Sequence, residues 1–438
     1  MIYFPFLFFI LFLFSKKKSF FSFWVLLLMV SPSVKVFGIE NFASWNMTIN
    51  NYLFYLIFPV FILYKCIDDH EYFHNIVKKF NTYKYLLYIL LMFSISALYY
   101  LIFIGTSNIF YPFFLSLSFY KGIICVLLII YFNRKTTLDS LFDEFKRILI
   151  IIFIFSVIVG AFQIYFSLPG HQIFVNLYDT RSEILNYSVM EMVDINFHRV
   201  LSIFSWNNQY AAFLAFSVVL IILLNKRKVI RDLFVIIIAF TGFLQSSSRT
   251  GMLLLLIASG LSFLIKYKVK AIIIVAILLL FSVNFFIKDI YFLIDERITN
   301  FVNDISSNYY EAVYNDRVSV WILRYNELLK DPFLFIFGSW YVVDAKDYLV
   351  ENGFLYVFIV GGVVTLTAYF LFFYDFLRNG IVLLKKKENR LSLYGISLVI
   401  VSIIFLVAEL SMTWYSSFRI TEILSFTYGF GSLYVYRK

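Results

Sequence analysis

Apolar runs bounded by charge recur along the whole chain, and they are continuous rather than alternating. A continuous run of about 20 residues suits a helix crossing a bilayer, whereas a strand would alternate with a period of two. Backbone in lipid must also satisfy its own hydrogen bonds, which a helix does alone. The pattern predicts twelve spans, at Ser19–Phe37, Asn51–Tyr64, Tyr85–Ile104, Ile109–Phe132, Ile148–Leu168, Gln209–Leu224, Asp232–Gln245, Gly251–Ile265, Ala271–Ile287, Gly353–Phe376, Leu391–Ser411 and Ile420–Tyr436. Met1–Phe14 is too short to cross upright, so it is either a tilted thirteenth span or an interfacial segment. The expected fold is therefore all-α: a polytopic membrane bundle of 12–13 helices forming one domain over residues 1–438.

Composition sharpens this. The chain is 62% hydrophobic, 22% aromatic and only 15% charged, with a mean hydropathy of +0.85, values that exclude a soluble domain. Its two cysteines, Cys66 and Cys125, sit at a span end and inside a span, which argues against a disulfide framework or a metal cluster. The N-terminus has neither a basic n-region nor a small-residue cleavage site, so it does not read as a removable signal peptide.

Counted loop by loop, about 25 of the 37 basic residues fall on one side of the alternating spans, which places that side in the cytoplasm. The net charge of +10 is then mostly a topology signal. No nucleic-acid partner is expected, because a basic face on a soluble domain is missing. On the opposite side arginine predominates: Arg181, Arg199, Arg249, Arg297, Arg317, Arg324 and Arg419, with Lys288, Lys330 and Lys346. A planar guanidinium suits bidentate capture of phosphate, whereas topology alone is as well served by lysine. The outer face reads as built for an anion.

Two outer segments are long enough to fold over the bundle, 169–208 and 288–352. In the second a helix is predicted from Asn315, capped there or at Asp316 and stopped by Pro332. Arg317, Trp321, Arg324 and Leu328 share one face of it, with the two arginines roughly 10 Å apart. The plainer alternative pairs Arg324 with Glu327 and Arg317 with a neighbouring carboxylate. Trp321, Trp340 and Tyr341 are placed to stack on a sugar or equally to pack the loop onto the bundle. Within the spans, Lys121, Glu409 and Glu422 are ionisable groups at membrane depth, open to a Lys121–Glu409 pair.

The order of motifs is informative. Arg199-Val-Leu-Ser-Ile-Phe-Ser-Trp-Asn207-Asn208-Gln-Tyr-Ala-Ala-Phe-Leu214 opens one span and Ser248-Arg249-Thr250-Gly251 opens another. Then follow Arg317, Trp321, Pro332, Phe337-Gly338, Glu351-Asn352-Gly-Phe-Leu355 and Gly361-Gly362. In that order and spacing the chain resembles the bacterial O-antigen polymerase and ligase superfamily, the Wzy-like and WaaL-like membrane glycosyltransferases. The ligase branch has a His where this chain has Glu351, which favours the polymerase branch.

The resemblance implies a GT-C-like bundle in the bacterial inner membrane, its large periplasmic loop containing short helices. It implies metal-independent transfer of a growing glycan from undecaprenyl pyrophosphate to a lipid-linked repeat unit. The expected partners are the undecaprenyl-pyrophosphate-linked oligosaccharide and membrane lipid, and a chain-length regulator is allowed. No cofactor is expected: Asp-x-Asp is missing from the outer segments, and His171 and His198 stand singly.

Arg199, Arg249, Arg324 and Arg419 are the candidates for pyrophosphate or glycan contact, with Asn352 and Trp321 beside them. Arg317 would stabilise leaving-group charge. Glu351, at the loop–membrane boundary, is the candidate general base, a role not carried over from the ligase histidine. Each has a plainer role: Arg249 as interfacial anchor, Arg199 as loop cap, Glu351 as helix cap, and Arg419 as a belt residue near Trp414 and Tyr415. An O-antigen ligase acting on lipid A core, or a transporter of lipid-linked or polymeric glycan, would share the span pattern. A transporter would show inverted repeats, and none is visible.

Overall fold

The computed structural model describes residues 19–31, 54, 57–99, 102–103, 110–134, 136–164, 173, 178, 202–204, 207–225, 228–246, 248–267, 325–326, 328–338, 352–409 and 418–437. Among them the chain is helical and has no strand. In chain order the helices are α1 (Ser19–Val30), α2 (Phe58–Asp68), α3 (His70–Lys78), α4 (Lys84–Tyr99), α5 (Phe110–Asn133), α6 (Leu138–Ile164) and α7 (Asn207–Leu224). There follow α8 (Val229–Ser246), α9 (Arg249–Tyr267), the short α10 (Pro332–Phe337), α11 (Gly353–Leu384), α12 (Asn389–Glu409) and α13 (Phe418–Val435). Every predicted span has a helix on it except 271–287, which lies outside the described residues.

Four of the helices, α6, α8, α11 and α12, are long and apolar enough to cross a membrane. Their outward faces agree with that. On α8, Ile230, Phe234 and Ile237 are exposed at helical spacing while Asp232, Val235, Ile236 and Ala239 of the same helix are buried. Ile151, Ile154 and Ile158 form a matching stripe on α6. Exposed apolar stripes on neighbouring helices would be an aggregation hazard in water and suit contact with lipid. The chain is a helical membrane protein.

The core lies between the stripes. α11 packs on α12, α4 and α13; α7 packs on α9, α12 and α8; and α5 packs on α13 and α4. Two helices outrun their apolar sequence. α6 starts at Leu138, ten residues before the predicted span, because its first turns find partners: Asp143 pairs with Arg390 at 2.8 Å and Lys146 at 2.6 Å, and Glu144 accepts from Ser22 at 3.1 Å. α11 runs on past Phe376 to Leu384 because the fully buried Asp375 accepts from Tyr428 at 2.7 Å and Asn379 at 3.1 Å and pairs with Arg378 at 3.3 Å.

The helix predicted from Asn315 lies mostly outside the described residues. Its end is described at 325–326 and 328–329, and Lys330 makes a turn. Pro332 both closes that segment and opens α10, where Asp331 caps the start by accepting from Phe333 N at 2.8 Å. α10 then docks into a break in α11. Gly338 and Gly362 both take positive φ, 82° and 69°, and an added Cβ on Gly362 would stand 2.1 Å from the Ile336 carbonyl oxygen. Ser96 of α4 donates to the carbonyls of Phe337 and Val360, so three segments meet there. The Phe337-Gly338 and Gly361-Gly362 motifs are thus two halves of one backbone junction.

Candidate functional site

The candidate site lies where α7, α9, α11 and α13 begin. α7 and α9 are held side by side at their starts: a Cβ on Gly251 would sit 2.1 Å from that of Ala211. α12 runs back toward this end, with Phe405 near its finish against Phe216 of α7 at 5.7 Å between ring centroids. The paired starts of α7 and α9 carry the partial positive charge of helix N-termini, which favours anions.

A neutral polar network ties the two motif segments together. Gln163 at the end of α6 exchanges two hydrogen bonds with Ser202, donating to its carbonyl at 3.1 Å and accepting from its N–H at 2.8 Å. The Ser202 hydroxyl donates to the Ser156 carbonyl at 2.5 Å, which holds Ser202 in its left-handed conformation, φ 55°. On α7, Tyr210 donates to Gln245 Oε1 of α8 at 2.9 Å, and Gln245 donates to the Val157 carbonyl at 3.2 Å. Gly160 and Gly242 leave the room: Cβ atoms there would crowd the Tyr210 hydroxyl at 3.3 and 2.6 Å. All four polar side chains are buried and bonded to protein groups, so the described residues 202–204, 207–211, 245–246 and 248–251 keep one relative position. Ser248 completes the start of α9 by accepting from Gly251 N at 3.0 Å.

The expected site residues distribute as follows. Arg249 is the first residue of α9, so its backbone stands at the α7–α9 junction. Asn352 caps α11, its Oδ1 accepting from Leu355 N at 3.0 Å, which fixes where that helix starts. Arg419 is 1% exposed and therefore no belt residue: it donates to the Ser31 carbonyl at the end of α1 and lies 5.7 Å over the Tyr178 ring. Tyr178, from the first outer segment, donates to the neighbouring Val30 carbonyl at 2.5 Å. A guanidinium among the last carbonyls of a helix is favoured by their partial negative charge. Arg199, Arg317, Trp321, Arg324 and Glu351 lie outside the described residues.

Deeper along α13, the buried Glu422 stands 4.0 Å from Lys121 of α5, whose ammonium also lies 5.6 Å over the Phe54 ring. The carboxylate beside Lys121 is thus Glu422, brought there because α5 and α13 run together, with Gly122 against Ser425 and Gly429 against Val126. The sequence reading names Glu409 for this pairing, and the carboxylate found at Lys121 is a different one because helix packing rather than spacing brings it there. Among the described residues no group of three His, Cys, Asp or Glu side chains is placed to hold a metal ion. His171 and His198 lie outside them.

Tyr210, Gln163 and Gln245 escape the sequence reading as site-forming residues, although each is a polar side chain near the end of an apolar run. That signal marks them as buried and bonded but does not pair them. No protein-family model matches the chain, and no curated protein matches it.

Proposed function

We propose that the protein is a membrane glycosyltransferase that polymerises O-antigen or a related surface polysaccharide at the end of the bundle where α7, α9 and α11 begin. The observation that carries this reading is the locking together of the described residues 202–204 and 207–211 with 245–246 and 248–251, which belong to the two motifs quoted from Arg199 and around Arg249. A site for a lipid-linked diphosphate needs fixed donors and cations at the membrane boundary, and helix N-termini supply the donors there.

In this reading the bundle end is periplasmic, in the bacterial inner membrane, and the fold is GT-C-like. Arg199, Arg249 and Arg324 hold or position the diphosphate of undecaprenyl pyrophosphate, Trp321 and Asn352 border the glycan, and Arg419, expected to join them, is buried on the Ser31 carbonyl instead. The bond between the sugar C1 and the phosphate oxygen breaks, the departing diphosphate carries the charge, and Arg317 stabilises it. The acceptor hydroxyl of the incoming repeat unit attacks C1 and passes its proton to Glu351.

The test is incubation of the purified protein with a lipid-linked repeat unit and a chelator. A ladder of lengthening products is expected, and none forming would end the proposal. Arg249→Ala or Arg317→Ala should fold yet slow the transfer about 100-fold or more, leaving single repeats. Transfer to lipid A core instead would assign a ligase, and movement of unaltered substrate across vesicles would assign a transporter.

A further inference from the structure

The opposite, basic end of the bundle holds a cavity of about 850 Å³ between the α3–α4 corner, the α5–α6 connection and the end of α13. Lys78, Lys79, Asn81, Thr82, Arg134 and Arg437 line it. Two of these cations are already matched. Arg134 pairs with Asp69 and, at 2.9 Å, with Glu71; Arg437 pairs with Asp139 at 3.0 Å.

Lys78 and Lys79 have no carboxylate within ion-pair distance among the described residues. The two ammonium groups stand side by side on this wall, and burial and then the adjacent Lys78 hold the Lys79 ammonium below its ordinary pKa. Two further groups are unfinished. The Thr82 hydroxyl is fully buried and has no hydrogen-bond partner, and the Arg134 Nε is buried without one as well. Buried donors are otherwise almost always satisfied. α6 also begins at this wall, with Thr137 capping Ser140 N at 3.3 Å, so a helix N-terminus adds positive potential.

We propose that this cavity binds a phosphate-bearing ligand, an anionic phospholipid headgroup or a soluble phosphate ester, with Lys78 and Lys79 as its cations and Thr82 as a hydrogen-bond donor. The volume exceeds what a bare ion needs, and the exposed apolar residues Phe73 and Val77 on α3 put the site at the level of lipid headgroups. Basic pockets between helices at such a boundary recognise anionic headgroups. The site is independent of the chemistry proposed for the other end.

The experiment uses the purified full chain in phosphatidylcholine nanodiscs, with the thermal midpoint and bound lipid by native mass spectrometry as readouts. One arm adds phosphatidylglycerol; the other adds glycerol 3-phosphate or inorganic phosphate. A raised midpoint in either arm supports the site, and which arm responds identifies the source. The double variant Lys78→Gln/Lys79→Gln should bind roughly tenfold or more weakly. Thr82→Val should weaken binding several-fold while leaving the ligand-free midpoint level or higher, an outcome that a purely structural hydroxyl would not give. No response in either arm, or a wild-type response in both variants, would overturn the proposal.

Discussion

The two ends of the bundle solve the burial of polar groups differently. Where α7 and α9 begin, the buried network is neutral: Gln163, Ser202, Tyr210, Gln245 and Ser156 exchange hydrogen bonds without an ion. At the basic end, buried carboxylates are answered by cations from their own and neighbouring helices. Asp232, fully buried, meets Lys266 at 2.5 Å, Arg231 at 2.7 Å and the Tyr267 hydroxyl at 2.6 Å. Lys266 also donates to the Ile222 carbonyl, so α7, α8 and α9 share one ionic knot. The basic end thus ties many of its charges into structure, whereas the start of α7 and α9 fixes backbone with neutral groups among the described residues.

The contrast can be broken most severely at Asp232. Asp232→Ala strands the Lys266 ammonium in the interior and should cost about 3–5 kcal/mol, seen as loss of folded protein in a detergent melt. A small cost would mean that water reaches the pair. Next is the α10–α11 junction. Gly362→Ala forces an L side chain into positive φ against the Ile336 carbonyl, and about 2 kcal/mol or more should be lost, with protease sensitivity rising near α10.

Tyr210→Phe tests the neutral end. It leaves Gln245 Oε1 without its donor, for about 1–2 kcal/mol, and should lower polymer yield beyond what the fraction folded explains. Yield that follows only the folded fraction would make the network purely structural.

The smallest effect belongs to Asp69. The hydrogen bond from Arg134 holds this carboxyl below its ordinary range, so its contribution is complete above about pH 4 and fades as pH falls through the lower, folded-state value. Asp69→Asn keeps the cap on Tyr72 N and removes only the charge; about 0.5–1 kcal/mol should separate it from wild type at pH 7, and the melts should converge in acid.

Much of this was legible in the chain. Continuous apolar runs require helices, since only a helix satisfies its backbone locally in lipid, and helices stand on the predicted spans wherever residues are described. Pro332 and Asn352 were readable as helix boundaries because capping and proline effects act over a few residues. Of the candidate site, the sequence marked the start of α9 at Arg249 and the Gly338 and Gly362 motifs. Arg199, Arg317, Trp321, Arg324 and Glu351 lie outside the described residues.

What the sequence determined by itself is everything governed by neighbours along the chain: class, span positions, caps and the side on which basic residues accumulate. Tertiary structure decided which polar groups meet. Only the packing of α5 along α13 brings Lys121 to Glu422, only tertiary contact sets Tyr178 beneath Arg419, and only partners on distant helices let α6 and α11 run past their apolar stretches. A charge inside a bundle is stabilised by whatever lies within a few ångströms, and the order of residues does not state that distance.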